Sequence, residues 1–211
     1  KSQYEENPYP RWNNIENLSE ESKKSSAQEI NTEIQPNSII HKIRGNQLNV
    51  LIAGCGTGQH ILTRQTYKNA KLTAMDLSLT SLSYAKRKLS ELEINNVELI
   101  QMDILEVGLL KERFDIIESI GVLHHMDEPT KGLKALLGIL KNNGFLKLGL
   151  YSELGRKDIV EAKNYIANKK LQPNEDDIRN FRKKVISGEL NNLNSLKNRN
   201  DFYSLSQCRD L

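Results

Sequence analysis

Cysteine, tryptophan and proline are all scarce in this 211-residue chain: two, one and five residues. The two cysteines, Cys55 and Cys208, are too few for a disulfide framework or a cysteine zinc site. No apolar run approaches the ~20 residues that a membrane span needs, and no secretory leader is visible. A reducing, cytoplasmic setting is therefore expected. Charge of one sign is also missing. Thirty Lys and Arg against 27 Asp and Glu leave a formal +3, too small a surplus to predict a nucleic-acid partner. The basic stretches Lys169-Lys170 and Arg182-Lys183-Lys184 lie among acids and read as solvated helix faces. No repeat is visible. These absences exclude collagen, coiled coil, membrane channel and disulfide scaffold. At ~100–200 residues per domain, one domain with an appendage is expected.

Residues 1–45 are polar and predict an N-terminal arm or lid. Tyr4-Glu5-Glu6-Asn7-Pro8-Tyr9-Pro10-Arg11-Trp12 is their one aromatic cluster, either a lid over a pocket or a docked arm. Residues 46–151 predict a core in which strand and helix alternate. Leu48–Ala53, Leu72–Met75, Val97–Gln101, Phe114–Ser119 and Gly144–Tyr151 are short apolar runs of strand length. Between them, Gln59–Tyr67 suits a helix. A second helix follows a Ser78 cap, with Leu82, Ala85, Leu89 and Leu92 on one face. A third follows an Asp127 cap, with Pro129 in its first turn and Leu133, Leu136, Leu137 and Leu140 as its stripe. Such alternation implies a Rossmann-like α/β fold, a five-stranded parallel sheet with helices on both faces. Residues 152–211 predict a helical segment, with helices near 158–169 and 174–186. The tail 201–211 reads as the start of a capped helix, Ser204 and Gln207 having capping-box spacing, and the chain is expected to continue past it.

The strongest local signal is Gly54-Cys55-Gly56-Thr57-Gly58, directly after the first strand. Alternate glycines let the backbone turn sharply and approach a ligand with no Cβ in the way. The helix that follows would offer N–H groups and a positive dipole end to an anionic group. A dinucleotide loop, G-x-G-x-x-G, would need glycine at position 59, which is Gln59. An acid about 20 residues on is the second checkpoint, and Asp76 meets it. It can hold ribose hydroxyls, or it can cap the helix beside Ser78.

In order and spacing, Gly54-Cys55-Gly56-Thr57-Gly58, Asp76-Leu77-Ser78, Asp103-Ile104 and Phe114-Asp115 to His125 resemble the motifs of class I S-adenosylmethionine-dependent methyltransferases. The Tyr4–Trp12 cluster, Leu123-His124-His125-Met126-Asp127-Glu128-Pro129, Leu150-Tyr151-Ser152-Glu153 and the 201–211 tail further resemble the methyltransferase domain of bacterial proteins that carry tetratricopeptide repeats upstream. The resemblance implies S-adenosylmethionine as cofactor and methyl transfer by in-line displacement to an unidentified acceptor, a small molecule or a protein. It implies that Gly54, Cys55, Gly56, Thr57 and Gly58 line the cofactor's methionine part, with Thr57 near its carboxylate. Asp76 would hold the ribose, and Leu77 would pack on the adenine. Asp103 would accept from the adenine amino group with Ile104 beside the ring. Ser119, Ile120 and Gly121 would meet the methionine end through backbone.

Catalytic candidates are His124, His125 and Tyr151, with Glu118 a weaker one. Imidazole titrates near neutrality and can act as a base, although one histidine can equally pack while the other lines the pocket. Two adjacent histidines lack the further ligands of a metal site, so no metal is expected. Neither the Asn/Asp-Pro-Pro-Tyr/Phe run of amino-methylating DNA enzymes nor a Pro-Cys nucleophile is present. Two other readings stay open: a cofactor-binding, non-catalytic module of a larger repeat protein, and a nicotinamide oxidoreductase, which Gln59 disfavours. A second copy is a candidate cover for the sheet's open edge.

Overall fold

The computed structural model describes residues 47–58, 61, 70–152 and 154–203. The N-terminal arm with its Tyr4–Trp12 cluster, the helix at Gln59–Tyr67 and the Ser204–Gln207 cap lie outside these residues. The described residues form two compact units that part between Leu150 and Tyr151.

Five parallel strands make the first unit: β1 (Leu48–Ala53), β2 (Ala70–Asp76), β3 (Val97–Gln101), β4 (Phe114–Ile120) and β5 (Leu140–Gly149). Their spatial order is β3-β2-β1-β4-β5. β1 is central, and its side chains alternate between two cores. Val50 and Ile52 pack with Leu72, Ala74, Leu82, Leu89 and Ile116 on one face. Leu51 and Ala53 pack with Met75, Ile104, Phe114, Ile117, Leu136 and Ile139 on the other. Burial on both faces explains why β1, β2 and β4 read as largely apolar runs. Order reverses between β2 and β4, on either side of β1, so the crevice of a doubly wound sheet opens at the carboxyl end of β1. At the opposite end, Asp115 Oδ2 accepts from the Asn49 N–H (2.9 Å) and the Lys141 ammonium (2.7 Å), tying β1, β4 and β5 together.

Helix α1 (Leu79–Glu91) starts as expected: Ser78 Oγ accepts from the Ser81 N–H at 3.1 Å, and Leu82, Ala85 and Leu89 are buried. Helix α2 (Pro129–Ile139) corrects the sequence reading. Its cap position is Glu128 rather than Asp127, with no side-chain cap bond. Its buried residues are Gly132, Leu136 and Ile139, while Leu137 is exposed and Leu140 already belongs to β5. The helix rolls this way because Gly132 admits a close neighbour: a Cβ there would lie 2.6 Å from Met126 Sδ. β5 also starts earlier and ends earlier than its apolar run. Leu140 pairs with Phe114 and Phe145 with Ile116, so a register shift absorbs the polar residues between.

The second unit contains α3 (Lys157–Lys169), α4 (Glu175–Ser187), a 3-10 helix (Asn191–Asn198) and α5 (Asn200–Tyr203). Their core holds Ile159, Phe181, Val185, Leu193, Leu196 and Phe202. No strand occurs among its described residues. Arg199 grips Asp158 with two parallel bonds, Nε to Oδ2 at 2.8 Å and a terminal nitrogen to Oδ1 at 2.9 Å. The Arg199 hydrogen bond holds the Asp158 carboxyl below its ordinary value, against the opposing effect of burial. A depressed carboxyl contributes stability that is complete above about pH 4 and is lost as pH falls through the lower, folded value. Acid titration of this unit's helical signal should therefore shift to higher pH in Asp158→Asn. An unchanged acid midpoint would contradict the linkage.

Candidate functional site

The site is built where β1 stops. Gly54, Gly56 and Gly58 have φ of +81°, +52° and +90°, which reverses the chain within five residues. The turn is held from the next strand: the Gly54 and Cys55 N–H groups both donate to Met75 O, at 2.8 and 2.9 Å. The Gly56 N–H donates to Asp76 Oδ2 at 2.8 Å, and the Gly58 N–H to Cys55 O at 2.9 Å. These four amides are thus used inside the protein. Sheet pairing carries the end of β2 to the loop, whereas the helix expected to offer N–H groups to an anion lies outside the described residues. A pyrophosphate cradle needs outward N–H groups. This loop instead offers close backbone approach.

Two glycines are required by their neighbours as well as by φ. A Cβ on Gly54 would lie 2.3 Å from Val122 Cγ2, and one on Gly58 would lie 2.9 Å from Ala85 Cβ. The loop therefore packs against α1 on one side and against the turn after β4 on the other. Val122 is a site residue that the sequence did not single out; its one signal was its place just after β4. Thr57, which the resemblance placed near the donor's carboxylate, is fully buried within the loop. Cys55 is buried too, with its thiol directed to Gly56 O at 3.7 Å. Burial first, and then the charge of Asp76, push that thiol far above its ordinary pKa. A thiol attacks only as thiolate. Native protein treated with iodoacetamide should therefore leave the Cys55 peptide unalkylated, and rapid native alkylation would contradict the buried packing role.

Asp76 ends β2 and is half-buried. Its Oδ1 accepts from the Ser78 N–H at 2.9 Å, and Ser78 itself caps α1, so the cap alternative for Asp76 is resolved in favour of Ser78. Each carboxylate oxygen has room for a second donor. Leu77 and Leu79 stand exposed beside it, two large apolar side chains at the tip of the sheet. At the end of β3 the Met102 N–H donates to Asp76 O at 3.1 Å. Asp103 then caps a 3-10 helix (Ile104–Leu109), its Oδ1 accepting from the Leu105 N–H at 2.9 Å. Ile104 opens that 3-10 helix and is buried against the core.

At the end of β4, Ser119 is fully buried and its Oγ has no partner among the described residues. Ile120 is half-buried, and the Gly121 N–H donates to Gly149 O at 2.9 Å. Glu118 is buried beside Lys147 in the β4–β5 register. The 3-10 turn Leu123–His125 follows, anchored by buried Leu123. His124 Nε2 and His125 Nε2 lie 3.1 Å apart. One ring must donate and the other accept, so the contact is incompatible with two imidazolium ions. Tyr151 belongs to the second unit, where the Arg156 guanidinium stacks 3.7 Å from its ring centroid. Glycine loop, Asp76, Leu77, Val122 and the histidine turn thus all follow the carboxyl ends of β1, β2 and β4. Among the described residues no cluster of three or more His, Cys, Asp or Glu could hold a metal, and no helix is long and apolar enough to cross a membrane.

Residues 50–144 match a family described as a methyltransferase domain. The chain is 36% identical over 118 residues to a malonyl-[acyl-carrier protein] O-methyltransferase of Halalkalibacterium halodurans, covering 53% of this chain and 41% of that protein. It is 33% identical over 120 residues to an uncharacterised protein of Synechococcus, covering 56% of this chain and 29% of that protein. The chain thus spans well under half the length of these curated relatives. Among solved structures, PKMT2 from Rickettsia typhi in complex with AdoHcy is 32% identical, with a TM-score of 0.45 over 48% of this chain and 20% of that one.

Proposed function

We propose that residues 50–144, which match a methyltransferase domain, bind S-adenosylmethionine in the cleft above β1 and that the chain serves methyl transfer to an acceptor not yet identified. One observation supports this seating most directly. The Gly54, Cys55, Gly56 and Gly58 amides are consumed internally, while Asp76 keeps acceptor capacity at the tip of β2. That combination suits a ligand with a ribose on one side and a thioether or sulfonium chain over bare backbone on the other. It does not suit a dinucleotide, whose pyrophosphate needs the amides. Bound donor supplies a methyl group already activated on sulfur.

The residues present fit that group. Asp76 would accept from the ribose hydroxyls. Leu77 and Leu79 would give the adenine an apolar face, and Asp103 would offer its carboxylate to the amino group. Gly54, Gly56 and Val122 would set how closely the methionine end approaches. The histidine turn borders the same cleft, and a proton released by an acceptor would meet His125, the exposed ring of the pair. The acceptor, which the curated relatives' names do not carry to this chain, remains a small molecule or a protein in this reading. A cytoplasmic setting and kinship with repeat-bearing bacterial methyltransferases belong to the same proposal.

Calorimetry tests the reading. S-Adenosylmethionine and S-adenosylhomocysteine are expected to bind with one site per chain, and NAD is expected to give no heat of binding. Binding of NAD alone would overturn it. Turnover of methyl-labelled donor in a cell extract then separates an enzyme from a cofactor-binding scaffold.

A further inference from the structure

Asp76 has a second task, which rests on the donor reading only for its consequence. The carboxylate is already engaged before any ligand is considered. Oδ2 accepts from the Gly56 N–H at 2.8 Å, and Oδ1 accepts from the Ser78 N–H at 2.9 Å. Gly56 is the middle glycine of the loop and has φ of +52°. It is held by no strand ladder, since Gly54 and Cys55 share Met75 O and Gly58 turns back to Cys55 O. The Asp76 side chain ties the loop's apex, through the Gly56 N–H, to the end of the neighbouring strand. Hydrogen bonds to an ionised acceptor are about twice as strong as neutral ones. We propose that Asp76 is a positioning residue for the glycine loop as well as a ribose acceptor, so that both ends of the donor are read through one carboxylate.

The geometry makes the two tasks separable. A ligand without ribose hydroxyls still meets the loop, and a protein without ligand still has its Gly56 N–H bond. Amide exchange in ligand-free protein tests the loop alone. In Asp76→Ala the Gly56 amide should exchange at least about ten-fold faster, while amides of α1 keep their wild-type protection. Equal exchange at Gly56 would overturn the proposal. If that variant fails to fold, wild-type protein decides: a scalar coupling across the hydrogen bond, from the Gly56 amide nitrogen to the Asp76 carboxyl carbon, is expected, and its absence overturns the proposal.

Binding of 2′,3′-dideoxy-S-adenosylhomocysteine gives the functional readout. A carboxylate acting only on ribose hydroxyls would leave its affinity unchanged between wild type and Asp76→Ala. Loop positioning predicts roughly ten-fold weaker binding to the variant, and equal affinity would overturn it. A wild-type chain that bound neither S-adenosylhomocysteine nor its dideoxy form would instead remove the donor reading, and the exchange result would still decide the role of Asp76 in the loop.

Discussion

Gly54→Ala is expected to lose about 2–5 kcal/mol of stability, the largest effect of any single methyl group in the loop. Two costs add. At φ of +81° an L-residue is held in the left-handed region, which costs about 1–2 kcal/mol. The new Cβ would also lie 2.3 Å from Val122 Cγ2, and overpacking of a closed site costs about 1–3 kcal/mol. Against a typical total of about 5–15 kcal/mol this is a large fraction. Denaturant titration of the variant reads it directly. Val122→Ala in the same chain removes the 2.3 and 2.9 Å contacts but leaves its Cβ at 3.1 Å, so the double variant should recover part of the steric loss and stay below wild type. A Gly54→Ala protein as stable as wild type would show that the turn after β4 does not close on the loop.

Asp76→Ala is expected to weaken S-adenosylhomocysteine binding by about 100-fold or more. Hydrogen bonds to charged groups contribute about 1.5–3 kcal/mol each, and the ribose presents two hydroxyls. Losing two such bonds corresponds to at least two decades in affinity. Asp76→Asn should fall between, because its amide nitrogen would face a backbone N–H where the carboxylate has an oxygen. Titration calorimetry on the three proteins measures the series. Affinities within threefold of one another would mean that the ribose sits elsewhere.

β1, β2 and β4 were legible in the sequence because each is buried on both faces, and β3 by its short apolar run. Leu48–Ala53 and Val97–Gln101 appear with the boundaries that their apolar runs imply. β5 was harder. A register shift places polar residues inside the strand, and only pairing with β4 decides where it begins. α2 was misread for a related reason: its orientation depends on Gly132 receiving Met126, a tertiary contact that leucine periodicity does not encode. In the site, glycine spacing marked the turn and Asp76 marked its neighbour. What spacing could not show is where the amides go. Met75 O lies far along the chain from Gly54 and reaches it only through the β1–β2 pairing. Val122 escaped notice for the same reason, and so did the burial of Thr57 and Ile104.

A structure of the chain with S-adenosylhomocysteine bound would test the seating most directly. Both ribose hydroxyls should lie within hydrogen-bond distance of the Asp76 carboxylate, with the homocysteine chain running over Gly54–Gly58. A ligand lodged away from that turn, or an Asp76 carboxylate directed out of the cleft while the ligand is present, would contradict the account.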